Sequence, residues 1–125
     1  MRHLVSAACG MWAAIAAPAF AESVVVVELY TSQGCSSCPP ADALFQTLAK
    51  DPRVIPLALH VDYWDYIGWA DTLASPKFTE RQKSYARAIG SRTIYTPQMI
   101  VDGVERIEGN DPDELAEHMG AHLAA

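Results

Sequence analysis

The chain has 125 residues, three of them cysteine, a formal net charge of −6 and an apolar share of 50%. That length fits one domain around one core. The acidic balance, spread along the sequence, argues against nucleic acid as a partner, because phosphate binding needs a basic surface.

Arg2 and His3 precede an Ala-rich apolar stretch from Leu4 to Phe20, which ends in Ala19-Phe20-Ala21. A positive start, an apolar middle and a small-x-small site predict a signal peptide over residues 1–21, removing Cys9 and leaving a domain over residues 22–125. A lipoprotein reading of Ser6-Ala7-Ala8-Cys9 is weaker, since too little apolar sequence precedes it. An uncleaved anchor is also weaker, because the stretch is near the lower limit of about 17 residues for a span and Pro18 interrupts it. Export predicts a periplasmic or secreted protein in an oxidising compartment, not bound to a membrane after cleavage, with Cys35 and Cys38 as its remaining cysteines.

The run Val24 to Tyr30 is β-branched without alternation, the pattern of a strand buried on both faces. After a Thr31-Ser32-Gln33-Gly34 turn comes Cys35-Ser36-Ser37-Cys38, followed by Pro39 and Pro40, which a helix tolerates in its first turn. The helix is therefore expected to begin close to Cys35 and to run from Ser37 to Lys50, with Ala41, Leu44, Phe45, Leu48 and Ala49 on its apolar face and Asp51-Pro52 as its stop. Two thiols separated by two residues at a helix mouth can form and break a disulfide with little backbone movement, and the helix end favours the attacking thiolate. A purely structural bridge is the competing reading, but a loop this short contributes only about 2 kcal/mol by chain entropy. Zinc is disfavoured because His118 and His122 lie far beyond the roughly 12 to 15 residues that separate the halves of a finger.

Val54 to Asp62 reads as a second strand, with Pro56 near its start and Leu57 to Val61 as its firm part. Strand, helix and strand in this order make a right-handed parallel crossover. Tyr63, Trp64, Tyr66 and Trp69 crowd the next connection, where they either dock a peptide or form a satellite core. Asp62, Asp65 and Asp71 could orient a substrate or a metal ion there, while His60 is expected to be a packed strand residue and not a catalytic one. Ser75 caps a helix that starts at Pro76 and ends at Gly90. Thr96 to Val101 and Val104 to Ile107 flank Asp102-Gly103, the signature of a two-residue hairpin. Asp111-Pro112 opens a last helix, whose His118 and His122 are expected at the surface near its C-terminus. The order is βαβ, helix, ββα.

From Val24 to Leu123 this pattern resembles the thioredoxin superfamily. The resemblance rests on C-x-x-C at the first strand-to-helix junction, on Thr96-Pro97 where the superfamily carries its cis-proline, and on Gly109 at the end of the fourth strand. More narrowly, Val27 to Asp42, His60 to Tyr66 and Tyr95 to Met99 are similar to a family of secreted thioredoxin-like proteins known as domain of unknown function 1223, whose members usually continue well past the last helix seen here. The resemblance implies an α/β thioredoxin-like fold, a mixed four-stranded sheet with helices on both faces. It implies Cys35 as the attacking thiolate and Cys38 as the resolving thiol, with Thr96 and Pro97 facing them. Glu28, in the most hydrophobic strand, would be a buried acid relaying the proton of Cys38, since burial raises a carboxyl pKa toward neutrality, or else lies at the strand's exposed end and binds water or a turn N–H. Trp64, Tyr63, Tyr95 and Gly109 are the expected substrate contacts.

The function expected from these features is an exported thiol-disulfide oxidoreductase acting through a mixed disulfide, without cofactor or metal. Its partners would be a protein or small-thiol disulfide substrate and a separate redox partner. The direction of exchange stays open. The rivals are a dithiolate module for Cu(I) and a redox-silent interaction domain using the same fold.

Overall fold

The computed structural model describes residues 16, 17 and 21–125. The signal segment expected over residues 1–21, with Cys9, falls almost wholly outside the described residues. Strand β1 (Val25–Thr31), helix α1 (Pro39–Leu48) and strand β2 (Val54–His60) form the crossover. Helix α2 (Pro76–Ala88), strands β3 (Gln98–Val101) and β4 (Glu105–Glu108) and helix α3 (Pro112–Ala124) complete the domain. The four strands form one sheet in the order β2-β1-β3-β4. β1 runs parallel to β2, antiparallel to β3, and β3 antiparallel to β4.

The unbroken valine run places β1 in the centre, and both of its faces are covered. Val25, Val27 and Leu29 turn to one side, packing with Met99 and Val101 of β3, Ala41 and Phe45 of α1, and Leu115 and Met119 of α3. Tyr30 turns to the other side, where Leu59, Val61 and Ile100 meet Phe78 and Tyr85 of α2. Each well-packed aliphatic chain of such a core costs about 2 to 5 kcal/mol on truncation to alanine.

Three expectations need adjustment. β2 is an edge strand, so Pro56 sits inside it opposite Val27, where a missing N–H is tolerated. Ile55 and Leu57 are 44% and 38% exposed, because α2 meets only the C-terminal end of this strand through Leu59 and Val61. The hairpin loop has three residues, since Val101 pairs with Glu105, although Asp102 and Gly103 do take the positive φ of a tight turn, 47° and 72°. Finally, α1 starts at Pro39 with Cys38 as its N-cap, so Cys35 precedes the helix by a turn of its own.

Helix boundaries otherwise follow the local chemistry. Ser75 Oγ accepts the Lys77 N–H before Pro76, and the Asp111 carboxylate accepts the N–H groups of Asp113 and Glu114. His118 and His122 are half-buried, and both pair with acids: His118 with Glu114, and His122 with Asp102 and Glu105 of the hairpin.

Candidate redox site

Cys35 and Cys38 form a disulfide with Cα atoms 5.4 Å apart. The turn that presents them is held by short-range bonds: the Gly34 N–H donates to Ser32 Oγ at 3.0 Å, the Cys35 N–H to the Ser32 carbonyl at 3.2 Å, and the Cys38 N–H to the Cys35 carbonyl at 3.3 Å. Prolines at the first two helical positions remove two of the N–H donors a helix end normally offers. Stabilisation of a Cys35 thiolate therefore falls more to the helix dipole and to Ser37, whose Oγ lies 3.6 Å from Cys35 Sγ. Both cysteines are buried, Cys35 with 5% of its residue surface exposed and Cys38 with 0%.

The peptide bond between Thr96 and Pro97 is cis. Pro97 is tied to the end of β4, its carbonyl accepting the Gly109 N–H at 3.0 Å, and Gly109 adopts φ 71° in doing so. Ser37, Tyr95, Thr96, Pro97, Glu108 and Gly109 line one open groove of about 360 Å³, which Asn110 completes. Three separated segments thus meet at this groove: Ser37 of the cysteine loop, the Tyr95-Thr96-Pro97 turn and the Gly109 corner.

Trp64 joins two of these segments. Its indole N–H donates to Thr96 Oγ1 at 2.7 Å, and its backbone side packs on Gly34, where an added Cβ would stand 3.2 Å from both the Trp64 Cβ and carbonyl oxygen. The close approach of the tryptophan leaves a side chain little room there, so a larger residue would push Trp64 back by a few tenths of an ångström. Tyr63, the other expected substrate contact of this loop, is turned inward. Its hydroxyl donates to Gln82 Oε1 at 2.9 Å, and burial pushes its pKa up to about 12. The loop thus divides between the two readings: Tyr63 belongs to the satellite core, Trp64 braces the site, and Tyr66 and Trp69 are exposed at 80% and 61%. Trp69 also donates to Gln33 Oε1 at 2.7 Å.

The relay expected of Glu28 is corrected by the geometry. Glu28 is 2% exposed, but it turns to the α2 side of β1, whereas Cys38 heads α1 on the opposite side. There its carboxylate accepts an ion-paired bond from the Arg81 guanidinium and hydroxyl bonds from Tyr30 at 3.0 Å and Tyr85 at 3.3 Å. Burial first, and the charge of Glu28 second, push the Tyr30 hydroxyl well above its ordinary range, so it remains a donor.

Asp71 was singled out in the sequence only as one of three loop acids. The structure makes it the hub of the cysteine loop. Its buried carboxylate accepts the Gln33 and Leu73 N–H groups, each at 2.9 Å, and meets His60 Nδ1 at 2.6 Å. Asp65 accepts the Asp71 N–H and Asp62 accepts the Thr79 hydroxyl, so all three acids serve the loop's own structure. Burial works to raise the Asp71 pKa, but the Gln33 N–H, the His60 ring and the Leu73 N–H outweigh it and hold the carboxyl below the usual carboxylate range. A depressed folded-state pKa gives stability that is complete above the unfolded value of about 3.9 and is lost as pH falls through the folded one. Asp71→Asn is therefore expected to lower the urea midpoint at neutral pH, and the gap to wild type should narrow as pH falls through and below the ordinary carboxylate value of about 3.9. A gap that stays constant over that range would mean that the carboxylate charge contributes nothing.

A family model described as "Protein of unknown function (DUF1223)" matches residues 26–125. Among solved structures, a protein from Agrobacterium tumefaciens, determined as a structural-genomics target, is 47% identical with a TM-score of 0.76, the match covering 82% of this chain and 46% of that one. The chain thus spans about half the length of that relative. A thioredoxin from Malassezia sympodialis and a mutant thioredoxin from Halobacterium salinarum NRC-1 are 18% and 21% identical, with TM-scores of 0.50 and 0.51. Each of these matches covers 81% of this chain, and 79% and 76% of the respective thioredoxin. At such identities the likeness is one of fold, and the fold is thioredoxin-like. No curated protein matches the chain.

Proposed function

The chain belongs to the DUF1223 family, and from that premise we propose that it is an exported thiol-disulfide oxidoreductase, exchanging disulfides with polypeptide or small-thiol clients through a mixed disulfide on Cys35. The observation that carries this reading is the Cys35–Cys38 disulfide together with an open groove in which Ser37, from between the two cysteines, meets Thr96-Pro97 and Gly109. A client sulfur reaches Cys35 from that groove, while Cys38 stays enclosed and resolves the intermediate from within.

The edge of the groove suits an extended peptide. Among the described residues the Thr96 N–H and carbonyl make no backbone hydrogen bond, and an unpaired main-chain segment is the template to which another strand adds. Trp64 holds this segment and the cysteine loop in fixed relation, so the peptide backbone and the sulfur are presented together. Tyr95 and Gly109 line the same groove and serve as client contacts. Export belongs to the same proposal, resting on the apolar leader pattern of residues 1–21, which would deliver the pair to an oxidising compartment.

The test is equilibration of the pair against glutathione redox buffers, followed by alkylation of the reduced protein. A defined potential with reversible turnover of a disulfide client is expected; a pair that neither oxidises nor reduces any client thiol would sink the reading. Reduced protein alkylated at mildly acidic pH should carry label on Cys35 first, since it is the more exposed of the two. Equal or reversed labelling would overturn the assignment of roles.

A further inference from the structure

Cys38 is 0% exposed. Its thiol has no direct contact with bulk water into which to release a proton as it attacks, so resolution of a mixed disulfide calls for an acceptor on the α1 side of the sheet. Glu28 lies on the other side. Asp42 does not: it stands one helical turn beyond Cys38, and its N–H donates to the Cys38 carbonyl at 2.9 Å. Residues so spaced are neighbours on a helix surface, with Cβ atoms about 5–6 Å apart. The Asp42 carboxylate is oriented by the Thr31 hydroxyl, which donates to it at 2.6 Å.

The same carboxylate borders a cavity of about 260 Å³ whose wall also carries Thr31, Gln46 and His60. Leu29, Phe45 and Ala58 make up the rest of the wall, and the polar groups among them can hold a water. His60 lines the same cavity, with its side chain 18% exposed and joined through Nδ1 to Asp71. The titratable groups facing this space are thus Asp42 from α1 and His60 from β2, with Asp71 from the loop behind the histidine.

We propose that Asp42 is the proton acceptor and donor for Cys38, with the cavity between α1 and β2 as the path to solvent. The proposal rests on the oxidoreductase reading. In resolution, Cys38 Sγ attacks Cys35 Sγ of the mixed disulfide while its proton passes to the Asp42 carboxylate, directly or through one water. The Cys38–Cys35 bond forms, the bond from Cys35 to the client sulfur breaks, and the client leaves as a thiolate with the electron pair. Asp42 then releases the proton through the cavity. In the reverse direction the client thiolate attacks Cys35, the electron pair leaves on Cys38, and the proton returns to it from Asp42.

The experiment mixes reduced protein with excess oxidised glutathione, so that a glutathione mixed disulfide forms on Cys35, and follows release of the second glutathione across the pH range. Asp42→Asn keeps an oxygen for the Thr31 hydroxyl but cannot take a proton. It is expected to slow resolution at neutral pH by about a hundredfold, the lower range of general-base contributions. The defect should shrink as pH passes the ordinary thiol value of about 8.5, where Cys38 ionises without help. Asp42→Glu should recover part of the rate, and Thr31→Val, which removes the orienting hydroxyl alone, should keep the wild-type shape of the profile.

An Asp42→Asn profile parallel to wild type, or a Thr31→Val profile that matches Asp42→Asn, would overturn the proposal and leave Asp42 as a tie between strand and helix. Wild-type protein that never forms or resolves the glutathione adduct would instead defeat the oxidoreductase reading itself, whatever the variants do.

Discussion

Cys38→Ser is expected to convert the protein into a trap that holds its clients as mixed disulfides on Cys35, while Cys35→Ser reduces exchange to the uncatalysed background. The asymmetry follows from access. Cys35 keeps the larger residual exposure and has Ser37 Oγ beside its sulfur, whereas Cys38 is fully buried at the Pro39-Pro40 start of α1. A client disulfide can therefore be opened only by Cys35, and without the inner thiol nothing in the site expels the client again. The substitution replaces one buried small polar group by another, so the fold should survive. Non-reducing gels of periplasmic or secreted extracts, compared with reducing ones, would display the adducts. A Cys38→Ser protein that captures no partner under conditions where wild type turns over would defeat the assignment of roles. Tight Cu(I) binding by the reduced wild type, together with no exchange, would favour the dithiolate alternative instead.

The largest stability effect is expected on the opposite side of the sheet. Glu28 is buried in the central strand, and its charge is balanced by Arg81, whose side chain is 51% exposed. Arg81→Met leaves the carboxylate with the Tyr30 and Tyr85 hydroxyls alone. Removing one partner of a buried pair costs about 3 to 5 kcal/mol, and the half-exposed guanidinium puts this case near about 3 kcal/mol. Adding Glu28→Gln to Arg81→Met should restore part of the loss, because the uncompensated buried charge is then gone. Denaturant midpoints at constant slope measure this directly. Exchange rates under folding conditions should be unchanged in both variants, which separates the Glu28 cluster from the cysteine chemistry. A slowed resolution step in the stable double variant would return Glu28 to the role that the sequence suggested for it.

The same residue shows where sequence reading lost its hold. Glu28 was legible as a buried acid close to the cysteines in sequence, and burial is what the structure has. Its side was not legible. A strand that alternates polar and apolar residues declares which face is buried, but Val24 to Val27 is apolar at every position, so the pattern carries no parity. Tyr63 and Trp64 illustrate the same limit in a loop, where adjacent aromatics with equal propensities part company, one to the Gln82 amide and one to the Thr96 hydroxyl. Asp42 left a faint signal, an acid four residues past the second cysteine of a helix-capping pair. That spacing acquires meaning only when Thr31 and the cavity beside it are known.

The sequence by itself determined the local and periodic features: the C-x-x-C turn before a proline-led helix, the valine-rich central strand, the Ser75 and Asp111 caps, the Asp102-Gly103 reversal, and the element order. Those features depend on residues a few positions apart, whose backbone preferences and hydrogen bonds are fixed before any long-range packing. Tertiary structure alone decided which face of β1 each helix covers, that Asp71 would hold Gln33 across 38 residues of chain, and that Ser37, Thr96, Pro97 and Gly109 would border one groove. These contacts arise from sheet register and from helices docking on opposite faces. No single segment encodes them, because each depends on which partner buries the other's surface.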